Sequence, residues 1–391
     1  MDNFTYHAPT EVVFGKGAEN DTGKMAAKYG ASKVMLVYGG GSVIKSGLLD
    51  KVKASLNEAG VKYIEFGGAK PNPTLEHAEE GIDLAVHEQV DMIIGVGGGS
   101  SIDTAKAIAH GTANVDYPLW DIWTGKTALL RSMPVGAVLT IPAAGSEMSD
   151  SAVLTNEKLG KKQGINTDFN RCKFAIMNPE WCFTLPKYQL GAGITDIMMH
   201  TLERYFIPDY NCAMTDEIAE GLMRTVITNG LILMKDQNDY DAMAEIMWCS
   251  SLSHNNITGL GRPKDFSVHK LGHALSARYD ITHGASLSAV WGSWAEYLYN
   301  YATDRFSQYA RKVWHVQNSN DAQASREGIL RTIDFFTMLG MPTSLSQLNV
   351  EITKKDLQLL ALDATKDDTV KLTHIIPLGA KEVMDIYNAA M

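Results

Sequence analysis

Asp91-Met92-Ile93-Ile94-Gly95-Val96-Gly97-Gly98-Gly99-Ser100-Ser101-Ile102-Asp103 decides the fold. Its first half is an apolar run without polar alternation, the pattern of a parallel strand buried on both faces. The run ends in three glycines and two serines, and a helical pattern from Thr104 to His110 follows. A strand, a glycine loop and a helix start in that order form a phosphate-binding arrangement. Glycines admit a close backbone approach, and the free N–H groups of the helix start attract an anion. A tight strand-to-helix turn would use the same glycines, and the spacing departs from the usual G-x-G-x-x-G.

The same grammar recurs on either side. Lys33 to Tyr38 is a second buried strand running into Gly39-Gly40-Gly41-Ser42, with a helix from about Gly47 to Glu58. Glu11 to Phe14, Val61 to Phe66 and Val135 to Ile141 read as further strands, and Leu75 to Glu88 as a helix. This alternation predicts an α/β domain with a Rossmann-like parallel sheet over residues 1–186. Beyond Thr184-Leu185-Pro186-Lys187 strand-like runs largely disappear, and amphipathic helical patterns continue to the end. Residues 187–391 are therefore expected to form an all-helical second domain.

The first glycine loop bears on the cofactor. Nucleotide-binding sheets commonly end a strand in an acidic residue that holds the adenosine ribose. Here that place carries only glycines and Ser42, with Lys45 nearby, so a 2′-phosphate would meet no carboxylate. The expected dinucleotide is NADP(H) in preference to NAD(H).

The helical half holds the chemistry-bearing polar groups. Asp196 and His200 are four apart, as are His269 and His273, so each pair shares one face of a helix. His283 follows, then Gly284, which suits a helix end or a close backbone approach. Two helices offering oxygen and nitrogen donors can clamp one divalent cation, and equally the imidazoles can be hydrogen-bonded core residues. Trp120, Trp123, Phe266 and Met148 can line an apolar pocket or simply fill the core.

Composition narrows the partners. The chain has 391 residues, 45% hydrophobic, and a formal charge of −10, which disfavours nucleic acid and anionic membranes. Its four cysteines have no metal-type spacing and read as buried thiols of a reducing, cytoplasmic compartment. The Met1-Asp2-Asn3-Phe4 start is acidic where a signal peptide would be basic, and no apolar run reaches membrane-spanning length.

Together, Phe14-Gly15-Lys16-Gly17, Tyr38-Gly39-Gly40-Gly41-Ser42, Gly97-Gly98-Gly99-Ser100, Glu147-Met148 and the late histidine block resemble the iron-containing (group III) alcohol dehydrogenase family. The likeness is to its NADPH-dependent butanol dehydrogenase and aldehyde reductase branch, and it covers nearly the whole chain. The resemblance implies a dehydroquinate synthase-like architecture, with the active site in the cleft between a dinucleotide domain and a helical metal domain.

It also implies metal ligands at Asp196, His200, His269 and His283, with His273 beside the metal and nicotinamide without ligating. Gly39, Gly40, Gly41, Ser42, Gly97, Gly98, Gly99, Ser100, Ser101, Asp103, Thr140, Ser149 and Lys162 would face the dinucleotide, Lys162 near the adenosine phosphate. The segment Gly261-Arg262-Pro263-Lys264-Asp265 is poorer in glycine than the family usually has there.

One carboxylate and three imidazoles suit Fe(II), with Zn(II) or Ni(II) as alternatives. The reaction expected is reduction of a short- or medium-chain aldehyde by NADPH, or its reverse, with the metal as Lewis acid and His273 or water supplying the proton. Family members are commonly homodimers. The rivals are a zinc polyol dehydrogenase of the glycerol type, a related sugar-phosphate cyclase, and a non-catalytic dinucleotide or metal sensor.

Overall fold

A computed structural model describes all residues, Met1 to Met391. The chain forms two compact units: His7–Thr184, and Leu185–Met391 together with Met1–Tyr6. In the second unit the N-terminal residues are tied down by the Asp2 N–H, which donates to Gly261 O at 2.8 Å.

The first unit is an α/β layer. Its main sheet contains β1 (Glu11–Phe14), β2 (Lys33–Tyr38), β3 (Lys62–Phe66), β4 (Met92–Gly97) and β5 (Val135–Leu139). A hairpin of β6 (Ser151–Asn156) and β7 (Lys161–Asn166) stands apart, and β8 (Phe174–Met177) returns to the main sheet. The six-stranded sheet has the order β1-β8-β5-β4-β2-β3 with every pairing parallel. Its helices are α1 (Thr22–Lys28), α2 (Ser42–Lys45), α3 (Leu48–Glu58), α4 (Leu75–His87), α5 (Gly99–Ala113) and α6 (Leu119–Trp123).

Every residue of β4 is buried, as its unbroken apolar pattern requires. The chain runs outward from β2 to β3, then crosses back to place β4 on the other side of β2. That reversal is a topological switch point, where crevices open beyond the carboxyl ends of the strands. Both glycine loops lie at it, one after β2 and one after β4, and Tyr38 pairs with Val96 in register.

Three segments of this unit lie outside the pattern read from the sequence: the β6–β7 hairpin, β8 and α6. The hairpin is built from Ser-Ala-Val-Leu-Thr-Asn and Lys-Lys-Gln-Gly-Ile-Asn, too polar and short to signal burial. Its position depends on distant groups. The ammonium of Lys106 in α5 is fully buried and donates to Ser146 O (2.7 Å), Ser146 Oγ (2.9 Å) and Ser151 O (2.8 Å). Thr155 N–H donates to Pro73 O at 2.7 Å, which docks the hairpin on the loop after β3.

The second unit is helical: α7 (Lys187–Tyr205), α8 (Ala213–Lys235), α9 (Tyr240–His254), α10 (Ser267–Tyr279), α11 (His283–Leu298), α12 (Thr303–Trp314), α13 (Asp321–Met338), α14 (Lys354–Ala364) and α15 (Ala380–Ala389). Helix α7 is its axis. All residues from Leu190 to Tyr205 are buried, and α8, α9, α10 and α11 pack around it. A helix covered on all sides normally has an apolar circumference. This one carries His200 and also Asp196, Glu203 and Arg204, residue types almost never fully buried unless paired. No helix of the chain is long and apolar enough to cross a membrane.

Gly284 sits at the start of α11, where a Cβ would lie 2.1 Å from Ala192 O of α7. The glycine therefore serves contact between two helix backbones. Gly284→Ala should force α11 off α7, destabilising the protein by about 1–3 kcal/mol, the usual cost of overpacking. Urea denaturation should show a lowered midpoint; an unchanged one would mean that the backbones do not depend on this contact.

Candidate metal centre and dinucleotide loops

Asp196 and His200 lie one turn apart on α7, His269 and His273 one turn apart on α10, and His283 is the first residue of α11. Three helices thus bring together groups separated by almost ninety residues. Asp196 Oδ1 is 3.3 Å from His200 Nδ1, 3.4 Å from His269 Nε2 and 3.6 Å from His283 Nε2. Asp196 Oδ1, His200 Nδ1 and His269 Nε2 are buried and make no hydrogen bond, although they face one another. Burying such atoms without partners is costly, so a native fold supplies something to them.

The spacing indicates what that is. Four donors about 2.1 Å from a tetrahedral cation are about 3.4 Å from each other, which is the separation seen. Asp196, His200 and His269 form a group able to hold a metal ion, their ligand atoms all within 4.8 Å of one another. The electrostatics agree. Burial and the neighbouring imidazoles drive His200 well below the usual histidine range, which favours the neutral ring with one nitrogen lone pair to donate. Burial also opposes charge on His269, but the Glu203 and Asp196 carboxylates outweigh it and raise the imidazole to about 9.

His273 lies beside this cluster, its ring 5.2 Å from that of His283 and 6.0 Å from that of His269. Phe266 packs edge-on to His200, His254 and His269. Trp123, by contrast, is a core residue of the first unit, its Nε1 donating to Gln163 O. The glycine-poor segment before α10 acts as a brace. Arg262 donates to Asp216 and to Tyr205 O, and Asp265 Oδ1 accepts from Ser267 N–H at the start of α10 (2.8 Å).

Two residues of the cluster go beyond the sequence reading. Glu203 stands seven positions after Asp196, on the same face of α7, and contacts His269. That spacing is visible in the sequence. His254, at the end of α9, has its ring 4.0 Å from that of His200 and tilted by 53°, and its Nδ1 accepts from Arg204 Nη2 at 2.9 Å. No periodicity points to His254.

In the first unit, Gly39–Gly41 and Ser42 form the turn from β2 into α2, and Gly97–Ser101 the turn from β4 into α5. No side chain caps the start of α5; the Ser101 N–H donates to Gly98 O at 3.1 Å, and the N–H groups before it are placed to meet an anion. A Cβ on Gly39 would lie 3.8 Å from Ser101 Oγ, so the two loops are neighbours. Thr140 follows β5, its N–H bonded to Gly97 O. Lys162 on β7 donates to Asn72 Oδ1 at 2.8 Å, in the loop after β3. Asp103 turns inward: one oxygen accepts from Ser146 Oγ (2.6 Å) and the other from Val153 N–H (2.9 Å). Ser149 is buried and bonded to Ser151. All four cysteines are buried thiols outside any disulfide.

The chain is similar to known proteins over nearly its whole length. The family description "Iron-containing alcohol dehydrogenase" matches residues 9–179, and "Fe-containing alcohol dehydrogenase family, C-terminal" matches residues 191–391. NADH-dependent butanol dehydrogenase A of Clostridium acetobutylicum is 38% identical over 99% of this chain and 99% of its own. NADPH-dependent aldehyde reductase YqhD of Escherichia coli is 35% identical over 90% of each. Among solved structures, NADH-dependent butanol dehydrogenase A of Thermotoga maritima superposes with a TM-score of 0.95 at 34% identity, covering 100% of this chain and 99% of that one. With both halves matched and full-length relatives this similar, the chain belongs to the iron-containing alcohol dehydrogenase family and is an oxidoreductase of the alcohol dehydrogenase type.

Proposed function

We propose that the chain interconverts short- or medium-chain aldehydes and primary alcohols of the butanal/butanol type, with NADP(H) as hydride carrier and one divalent cation, iron(II), held by Asp196, His200, His269 and His283. The observation carrying this reading is the meeting of buried, unbonded donor atoms of Asp196, His200 and His269 at cation spacing. When bound, such a cation polarises a carbonyl oxygen as a Lewis acid, and the reduced dinucleotide supplies the hydride.

The chain's own residues do the rest. The four ligands hold and orient; α7, α10 and α11 exclude water from three of them; His273, beside the cluster without joining it, exchanges a proton with the hydroxyl oxygen. Gly97–Ser101 and the uncapped start of α5 bind the pyrophosphate. Thr140, Ser149 and Lys162 are assigned to the cofactor side, and Asp103 sets the loop beneath it.

The choice of dinucleotide rests on Gly39–Ser42. The relatives divide between NADH-dependent butanol dehydrogenases and an NADPH-dependent aldehyde reductase. This loop has no carboxylate, and Lys162 lies at the neighbouring loop after β3, two features that favour a 2′-phosphate. A Cβ on Gly40 would meet nothing within 4 Å, so an aspartate there adds charge without a clash.

The wild type should show a higher kcat/KM with NADPH than with NADH. Gly40→Asp should lower the NADPH value by about tenfold or more while sparing NADH, as expected of like charges a few ångströms apart. A wild-type preference for NADH would refute the assignment.

Ligand and proton roles separate by mutation. His269→Ala should lose bound cation and butanal reduction together. His273→Ala should retain the cation while turnover falls about 10²–10⁴-fold, the usual worth of a positioned acid or base. Loss of cation from the His273 variant, measured by elemental analysis, would reverse the division.

Cation affinity should also depend on pH. In the cation-free protein His269 holds its proton up to about 9, so a bound cation must displace it. Affinity should therefore rise as pH increases toward 9, by about tenfold per unit. A profile flat from pH 6 to pH 8 in chelator competition would contradict this.

A further inference from the structure

Glu203 is buried on α7, on the face that carries Asp196 and His200. Its two carboxylate oxygens grip the same residue of the neighbouring helix. Oε1 accepts from the backbone N–H of His269 at 3.1 Å, and Oε2 lies against Nδ1 of the His269 ring, where an ionised carboxylate can only accept. The other ring nitrogen, Nε2, is left facing Asp196 Oδ1 at 3.4 Å without a hydrogen bond. A neutral imidazole has one N–H and one lone pair. Whichever nitrogen donates to a carboxylate decides which one can ligate.

We infer that Glu203 is a positioning residue: it fixes the His269 tautomer with the proton on Nδ1, and so presents the Nε2 lone pair to the cation. Its second bond, to the backbone of the same residue, holds the start of α10 in register with α7. Neither bond requires Glu203 to touch cation or substrate. The carboxylate also makes His269 a stronger donor, because negative charge on the far side of the ring favours electron donation from Nε2. The inference rests on the cation reading above, and its test distinguishes failure of the one from failure of the other.

Affinity for Zn(II) is measured by chelator competition at about pH 9.5, so that proton competition at His269 does not enter, on metal-free wild type, Glu203→Gln and Glu203→Ala. Folding of each is checked by near-ultraviolet circular dichroism. The visible absorption of the Co(II)-loaded forms reports the donor set. Glutamine keeps the shape and can still accept from Nδ1–H; alanine removes the acceptor altogether. The expected order is wild type tightest, E203Q weaker by about tenfold and E203A weaker by up to about a hundredfold. At saturation the Co(II) bands of E203Q should match those of wild type, because the ligands themselves remain. A purely structural glutamate would alter folding without this graded shift, and two variants mean that one misfolded protein leaves the other to decide. Both variants binding Zn(II) within threefold of wild type would overturn the role given to Glu203 and leave the cation site standing. A wild type that binds no metal ion would overturn the site itself, and this inference with it.

Discussion

A fully covered helix bearing a carboxylate and an imidazole at ligating distance is the constraint on which the helical unit depends. Nothing about burying Asp196 and His200 is favourable in itself. Their unbonded atoms face those of His269 on α10 and approach His283 on α11, so three helices must keep their mutual positions. The neighbouring packing serves that requirement. Gly284 lets α11 touch the backbone of α7, Asp265 holds the start of α10, and Arg204 ties α7 to the end of α9 through Ser253 O and His254.

The α/β unit obeys a different rule. A parallel sheet buried on both faces leaves strand ends as the places where chain can meet ligand, and the reversal between β2 and β4 makes one such place. Both glycine loops belong to it. The hairpin β6–β7 reaches the same edge through Thr155 and Lys162, which bond to Pro73 and Asn72 in the loop after β3. Lys106 and Asp103, buried on α5, link this hairpin and its preceding loop to the helix that starts at the second glycine loop. Charge inside this unit is therefore spent on shape, whereas the helical unit also gathers Asp196, His200 and His269 at the spacing of cation ligands.

Much of the architecture was legible because it follows from periodicity. Buried parallel strands are unbroken apolar runs, and β2 and β4 are such runs. The helices from α8 to α15 repeat apolar residues at helical spacing, the pattern that continues from Pro186 to the end of the chain. The hairpin and β8 were not legible, since a short polar strand becomes a strand only when distant groups pair with it. The i,i+4 pairs marked Asp196–His200 and His269–His273 as facing sets. Glu203 lay within reach of the same reasoning, seven residues after Asp196, while His254 had no signal at all.

The sequence by itself determined the class of each half, the places of both glycine loops and which polar residues share a helical face, because all of these depend on neighbours along the chain. Only the tertiary structure decided that Gly284 serves a contact between helix backbones, and that Asp103 is used inward. It alone brought Glu203 to the ring of His269, and it alone distinguished unbonded donor atoms from histidines satisfied in a core. Those outcomes depend on which helix lies opposite, and local spacing carries no information about distance between segments far apart in the chain.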